Sequence, residues 1–302
     1  MTRRVLEVDD LDPQRIGRVV ERAEAWKSDP SAVPKVLAGC GAVLMFEKPS
    51  ARTRVSTEMA VSTLGGHPIY VRGDEVGLDD RESVEDVGRT FAAYAAVIAA
   101  RVSSHRTLER MCSVVDVPVV NLLSDRAHPC QALADLLTVH EHFGGVEGRR
   151  VAFVGDGNNV ASSLAFTAAL AGFELAIASP PGYELDLDVL ERARNLGGVV
   201  AQLNDPSDAV RGADVVYTDV WTSMGDEAER DERRRAFAAY TVDAALMREA
   251  EPDAIFLHCL PAHRGEEVAA EVIDGPHARV WPQAENRMHA ARALLVDVLE
   301  AS

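Results

Sequence analysis

Ser50, Arg52, Thr53 and Arg54 crowd two hydroxyls and two guanidinium groups into five positions just after the apolar run GAVLMF. A guanidinium forks onto a phosphate or carboxylate in bidentate fashion, and hydroxyls add further donors. Where a strand turns into a helix, unpaired backbone N–H groups contribute partial positive charge. The chemistry such a cluster suits is the holding of an oxyanion. The same spacing also fits ordinary capping, with Ser50 closing the helix and the arginines paired to acidic neighbours. Two cations in a first helical turn oppose the helix dipole, and a bound anion would offset that opposition. No Gly-x-x-x-x-Gly-Lys loop is present, so this is not a nucleotide P-loop.

Further along, His128 precedes Pro129 and is thereby held extended, as a donor to a developing oxyanion or as a helix cap. Asp219 follows the apolar run DVVYT and suits an amine, with Ser223, Met224 and Gly225 in the turn beyond; the plainer reading is an acidic loop. Gly155-Asp156-Gly157 imitates a dinucleotide fingerprint but lacks the third glycine, which speaks against a nicotinamide cofactor. Asn158 and Asn159 either present amides to a small polar ligand or cap the next helix. Cys259 reads as packing or as chemistry. Strand alternation would turn His258 and Cys259 to opposite faces, and no other Cys or His pair has zinc-like spacing, so no metal is expected.

These groups recur just after β-like runs that alternate with helical patterns: GAVLMF, PIYV, AVIAA and PVVN, then RRVAFVG, ELAIAS, VVAQL, DVVYTDV and AIFLHC. That alternation predicts α/β architecture: two domains, each a parallel sheet flanked by helices, with the active site in the interdomain cleft. The expected division is 1–127, with a C-terminal helix over 285–302 packing back on it, and 128–284, entered through an interdomain helix over 128–143. The 302 residues suit two domains. A net charge of −17, from 31 basic and 48 acidic side chains, disfavours nucleic acid and anionic membranes as partners. No apolar stretch approaches the roughly 20 residues of a membrane span. The four cysteines form no disulfide framework and MTRRVLEVDD lacks a secretory apolar core, so a cytoplasmic setting is expected.

Over nearly its whole length the chain resembles the carbamoyltransferases, and the ornithine branch more than the aspartate branch. The resemblance rests on four motifs in family order: SARTR, HPCQ, SMG and HCLP. It implies that Ser50, Ala51, Arg52, Thr53 and Arg54 hold the phosphate of carbamoyl phosphate, and that Arg101, His128, Gln131 and Arg287 contact the carbamoyl group. Asn159, Asp219, Ser223 and Met224 would hold the amino acid end of ornithine. Cys259 and Leu260 would lie at the reacting amine and the carbamoyl phosphate. Arg101, His128, Asp219 and Cys259 are the implied catalytic residues. The implied assembly is a homotrimer, with no cofactor.

Two departures stand out. Ala51 replaces the family's usual Thr, and the loop RGDEVGLDDRES has Glu75 where the family commonly carries a Gln reaching the neighbouring subunit's phosphate site. A carboxylate there would repel phosphate, so Glu75 is expected to turn outward, with Arg81 taking over. The altered loop keeps two alternatives in view: an acceptor that is a modified ornithine or another diamine, and a binding protein that has lost turnover.

Overall fold

Each apolar run forms a parallel strand in the computed structural model, which describes residues 4–222 and 227–301. The chain divides into two compact units, residues 1–137 with 285–302, and residues 138–284. The divisions lie at 137/138, inside the helix Pro129–Phe143, and at 284/285, inside Val280–Glu300; the expected boundaries were 127/128 and 284/285.

The first unit holds a five-stranded parallel sheet in the order β1-β5-β4-β2-β3: β1 (Arg4–Val5), β2 (Gly41–Phe46), β3 (His67–Arg72), β4 (Ala95–Arg101) and β5 (Val119–Leu123). After β2 the chain builds β3 on one side and then crosses to place β4 on the other. This reversal of winding direction opens a binding position beyond the carboxyl ends of β2 and β4. The helix Ala51–Thr63 follows β2, capped by Ser50, whose Oγ accepts from the Thr53 N–H at 3.4 Å. It ends where Gly65 takes φ +82°, a left-handed conformation that glycine reaches without steric cost. Asp12 caps the helix Pro13–Ser28 by accepting from the Arg15 N–H at 2.8 Å. Within this unit the C-terminal part of Val280–Glu300 meets that helix, through a buried Arg15–Asp297 ion pair at 2.7 Å. The core joins Val43, Met45, Ile98 and Leu108.

The second unit repeats the plan with the order β10-β9-β6-β7-β8: β6 (Arg150–Val154), β7 (Glu174–Ala178), β8 (Val200–Leu203), β9 (Val215–Thr218) and β10 (Ile255–His258). Here the winding reverses between β6 and β9, which pair in parallel. The helix Asn159–Ala171 follows β6 and stops at Gly172, again left-handed. An aromatic cluster of Trp221, Phe237 and Tyr240 packs beside Phe256 in its core.

Candidate active site

The polar residues of the first unit gather where its sheet reverses. Ser50 donates its hydroxyl to Thr53 Oγ1 at 3.0 Å, and Arg287 Nη2 donates to the same Thr53 oxygen at 2.7 Å. Thr53 is buried, so the guanidinium brought by the last helix sits at the N-terminal turn of Ala51–Thr63. Ala51 is the first residue of that helix and has only its backbone N–H to offer. Arg52 is half-buried there, and its Nε has no hydrogen-bond partner among the described residues. Arg101, the buried last residue of β4, pairs in register with Phe46 of β2.

His128 completes this group. It is buried, and burial first, then the charges of Arg287 and Arg101, hold its pKa well below the ordinary histidine value. The imidazole is therefore neutral at pH 7 and surrounded by cationic groups, an arrangement that favours an incoming anion. Its backbone is fixed by the segment before it. Asn121 Nδ2 donates to the Leu6 carbonyl at 2.8 Å and to Ser124 Oγ at 3.0 Å, while Ser124 N–H donates to the Ala127 carbonyl at 2.9 Å. Gln131, one turn into the next helix, donates Nε2 to Asp135 Oδ1 at 2.7 Å, and its Oε1 has no partner among the described residues.

A stability effect follows from His128. The unfolded chain protonates it near pH 6.5, whereas the folded protein does so only at much lower pH. Acidification below about 6.5 thus adds a proton to the unfolded state alone and removes stability. His105 and His289, depressed mainly by burial, act in the same sense. The urea midpoint is expected to fall between about pH 7 and 5, and His128→Asn to reduce that slope. An unchanged slope would show that His128 titrates freely in the fold.

In the second unit, Asp219 emerges directly after β9 and Asn158 in the turn after β6, on the two strands where the winding reverses. Asp219 Oδ1 accepts from the Val220 N–H at 2.8 Å and from the Cys259 thiol at 2.8 Å, and its Oδ2 accepts from Asn158 Nδ2 at 2.9 Å. Asn158 takes the capping role of its two sequence readings, and its amide nitrogen is bonded within the protein. Its Oδ1 caps the helix, accepting from the N–H groups of Val160 at 2.9 Å and Ala161 at 3.2 Å, while its amide nitrogen holds Asp219. Asn159 is the first residue of that helix. Leu260, with φ +59°, donates its N–H to His258 Nδ1 at 2.9 Å. That donor fixes the tautomer: His258 Nε2 carries the proton and gives it to the fully buried Glu267 at 3.2 Å.

Two expectations are corrected. β10 ends at His258, so strand alternation does not extend to Cys259. The donor atoms of Asp219, His258 and Cys259 in fact lie within 4.8 Å of one another. Arg54 does not face the Ser50–Arg52 turn. It pairs with Glu58 at 2.8 Å and lies 3.6 Å from the Tyr70 ring centroid, so the argument from two uncompensated cations holds for Arg52 only.

Residues 3–141 match the family described as aspartate/ornithine carbamoyltransferase, carbamoyl-P binding domain, and residues 147–298 match its Asp/Orn binding domain. The chain belongs to the aspartate/ornithine carbamoyltransferase family. It is 48% identical to an ornithine carbamoyltransferase of Acidothermus cellulolyticus, covering 100% of this chain and 98% of that one. An anabolic ornithine carbamoyltransferase of Pyrococcus furiosus is 44% identical, with 98% and 96% covered. The solved structure of ornithine carbamoyltransferase from Pyrococcus furiosus superposes with a TM-score of 0.94 at 43% identity, covering 99% of this chain and 97% of that one.

Among carbamoyltransferase features, Ser223 and Met224 lie outside the described residues. Glu75 accepts from the Arg72 N–H at 3.2 Å, and Arg81 donates to the Glu75 carbonyl at 3.0 Å, so within the chain both are engaged with their own loop. Sequence reasoning took the segment SDRAHPCQ, which opens with Ser124, as a polar strand end but gave Asn121 no role; together the two set the backbone before His128. Their signal was a polar pair at the carboxyl end of an apolar strand.

Proposed function

We propose that this protein transfers the carbamoyl group of carbamoyl phosphate to the side-chain amine of ornithine, giving citrulline and phosphate. The observation that carries the reading is the neutral, buried His128 beside Arg101 and Arg287, with Arg287 bonded to Thr53 at the N-terminal turn of a helix. Phosphate oxygens suit Ser50, Arg52, Thr53 and the N–H groups of that turn, the Ala51 N–H included. The carbonyl oxygen, which gains negative charge as the amine attacks, suits Arg101, Arg287 and a donor from His128. Gln131 Oε1 is an acceptor for the carbamoyl amide. In the second unit, Asp219 pairs with the α-ammonium of ornithine, assisted by Asn159, Ser223 and Met224. Cys259 and Leu260 line the reacting end.

The reaction balances without a cofactor. The uncharged amine attacks the carbonyl carbon, the carbon–oxygen bond to phosphate breaks, and the proton lost by the nitrogen passes to the departing phosphate, which leaves as hydrogen phosphate. Because Cys259 donates its S–H to Asp219, the thiol works as a protonated contact rather than as a nucleophile. An anabolic role in arginine formation accords with the relative so described. Exposed Val55 and Met59 on the helix Ala51–Thr63, together with exposed Tyr94, accord with self-association, and we assign a homotrimer in the cytoplasm; light scattering reads its mass.

The test is citrulline formation from carbamoyl phosphate and ornithine, with acceptor-dependent phosphate release. Ornithine's side-chain amine has a pKa near 10.4, so its reactive fraction grows with pH. Activity at subsaturating ornithine should rise about tenfold per pH unit from mildly acid to neutral conditions until a later step limits. A flat profile would rule out attack by the deprotonated amine as the controlling step.

A further inference from the structure

We propose that Arg233, acting through Asp156, is a positioning residue for the Asp219 carboxylate, an inference that rests on Asp219 being the anchor for the amino acid substrate. Arg233 belongs to the helix Arg230–Ala236, a run of charges that reads as a solvated surface. Two of its neighbours fit that reading: Arg230 and Arg234 are 48% and 45% exposed and share Glu266. Arg233 is 13% exposed. Its Nη1 donates to Asp156 Oδ2 at 2.7 Å and to the Trp221 carbonyl at 3.0 Å, while Nε donates to Glu229 at 3.1 Å. The guanidinium carbon lies 5.0 Å from the Tyr183 ring centroid.

The two acceptors on Nη1 belong to different strand ends. Asp156 lies in the turn after β6, and its own carbonyl accepts from the Asn158 N–H at 2.7 Å. Trp221 lies two residues beyond Asp219, after β9. Among the described residues, Asn158 and Val220 supply two of three donors on Asp219, and one guanidinium ties both segments, through the Asp156 carboxylate and the Trp221 carbonyl. The surroundings make the tie stiff. Gly157 N–H donates to the Tyr183 carbonyl at 2.8 Å, which fixes the ring beneath the guanidinium to the same turn, and a Cβ at Gly157 would meet Leu185 N at 2.3 Å. On the other side the Trp221 ring stacks on Phe237 at 5.8 Å. Without the guanidinium, the β6 turn and the β9 end lose their common tie and the Asn158–Asp219 bond loosens. Lysine keeps the charge but cannot reproduce the fork.

The experiment compares wild type, Arg233→Lys, Asp156→Asn and the double variant in citrulline formation, with calorimetric ornithine binding as a readout independent of turnover. Each single variant is expected to lose about 10- to 100-fold in kcat/KM for ornithine, chiefly through KM, with the KM for carbamoyl phosphate within about twofold of wild type. Because both changes break one link, the double variant should be no worse than the poorer single one. Arg234→Lys, whose hydrogen bond among the described residues goes to Glu266, should stay within about twofold, and thermal unfolding checks that each variant folds. The inference is overturned if the losses multiply in the double variant, if both substrates weaken in step, or if Arg233→Lys and Asp156→Asn bind ornithine as wild type does. A wild type that binds ornithine yet makes no citrulline would sink the functional reading instead, leaving the ornithine affinities of the variants to judge the clamp.

Discussion

Arg101→Ala is expected to lower kcat/KM for carbamoyl phosphate by about a hundred- to a thousandfold, the loss seen when one preorganised oxyanion donor is removed. The physical argument starts from position. Arg101 is the buried last residue of β4, where the sheet reverses its winding beside β2, and its carbonyl accepts from the Glu47 N–H at 2.9 Å. The strand therefore fixes the start of its side chain before any substrate arrives. Burial, then the charges of Arg287 and Arg101, hold the His128 pKa down, so the imidazole stays neutral beside cationic groups. In a site from which water is excluded, a cation aimed at a developing negative oxygen costs no reorganisation at the moment of reaction. Arg101→Lys should recover only part of the loss, since an ammonium keeps the charge without the planar fork. Steady-state citrulline formation checks both variants. An Arg101→Ala protein within threefold of wild type would show that charge development on the carbonyl oxygen is handled elsewhere.

How much of this was legible beforehand depends on the physics behind each residue. Parallel strands buried on both faces need continuous apolar runs, so β2, β4, β6 and β10 could be read from composition alone. Capping is local, and Asp12, Ser50 and Ser83 all cap where their helices begin. β1, at two residues, is too short to carry a period, and its partner Val119 is more than a hundred positions away. The site residues at strand ends were readable because a parallel sheet collects its chemistry there. Side-chain direction was not. Arg52 and Arg54 look equivalent in SARTR, but the helix turns Arg54 toward Glu58 and the Tyr70 ring. Cys259 lies one residue past the end of its strand, and that single residue voids the alternation argument. Arg233 is hidden among similar arginines because only the tertiary partners Asp156, Trp221 and Tyr183 distinguish it.

Asp219→Asn should be the most damaging change in the second unit, lowering kcat/KM for ornithine by about a hundred- to a thousandfold while leaving the affinity for carbamoyl phosphate within a few-fold. Three donors already converge on the carboxylate: the Val220 N–H, the Cys259 thiol and the Asn158 amide. An asparagine at this position must turn its own NH2 toward one of them. If it faces Asn158, the conflict is relieved only by flipping that amide, which takes Asn158 Oδ1 away from the Val160 and Ala161 N–H groups at the helix start. Losing such a cap costs about 1 kcal/mol. If it faces the other way, it meets Val220 N–H and the thiol together. A hydrogen bond to a charged group contributes about 1.5–3 kcal/mol, and a buried donor left without an acceptor costs about 1–3 kcal/mol. Together these come to about 2.5–6 kcal/mol, a range that covers the roughly 2.7 kcal/mol of a hundredfold change, at 1.36 kcal/mol per factor of ten. Cys259→Ser separates the two contributions. It keeps a donor on Asp219 and leaves the carboxylate charged, so ornithine should bind within about tenfold of wild type, an estimate from the modest worth of a single donor exchange. Calorimetric titration with ornithine reads both variants. If Asp219→Asn bound ornithine as tightly as wild type, the three-donor carboxylate would be a structural knot at the end of β9 and the amine would be held by other groups.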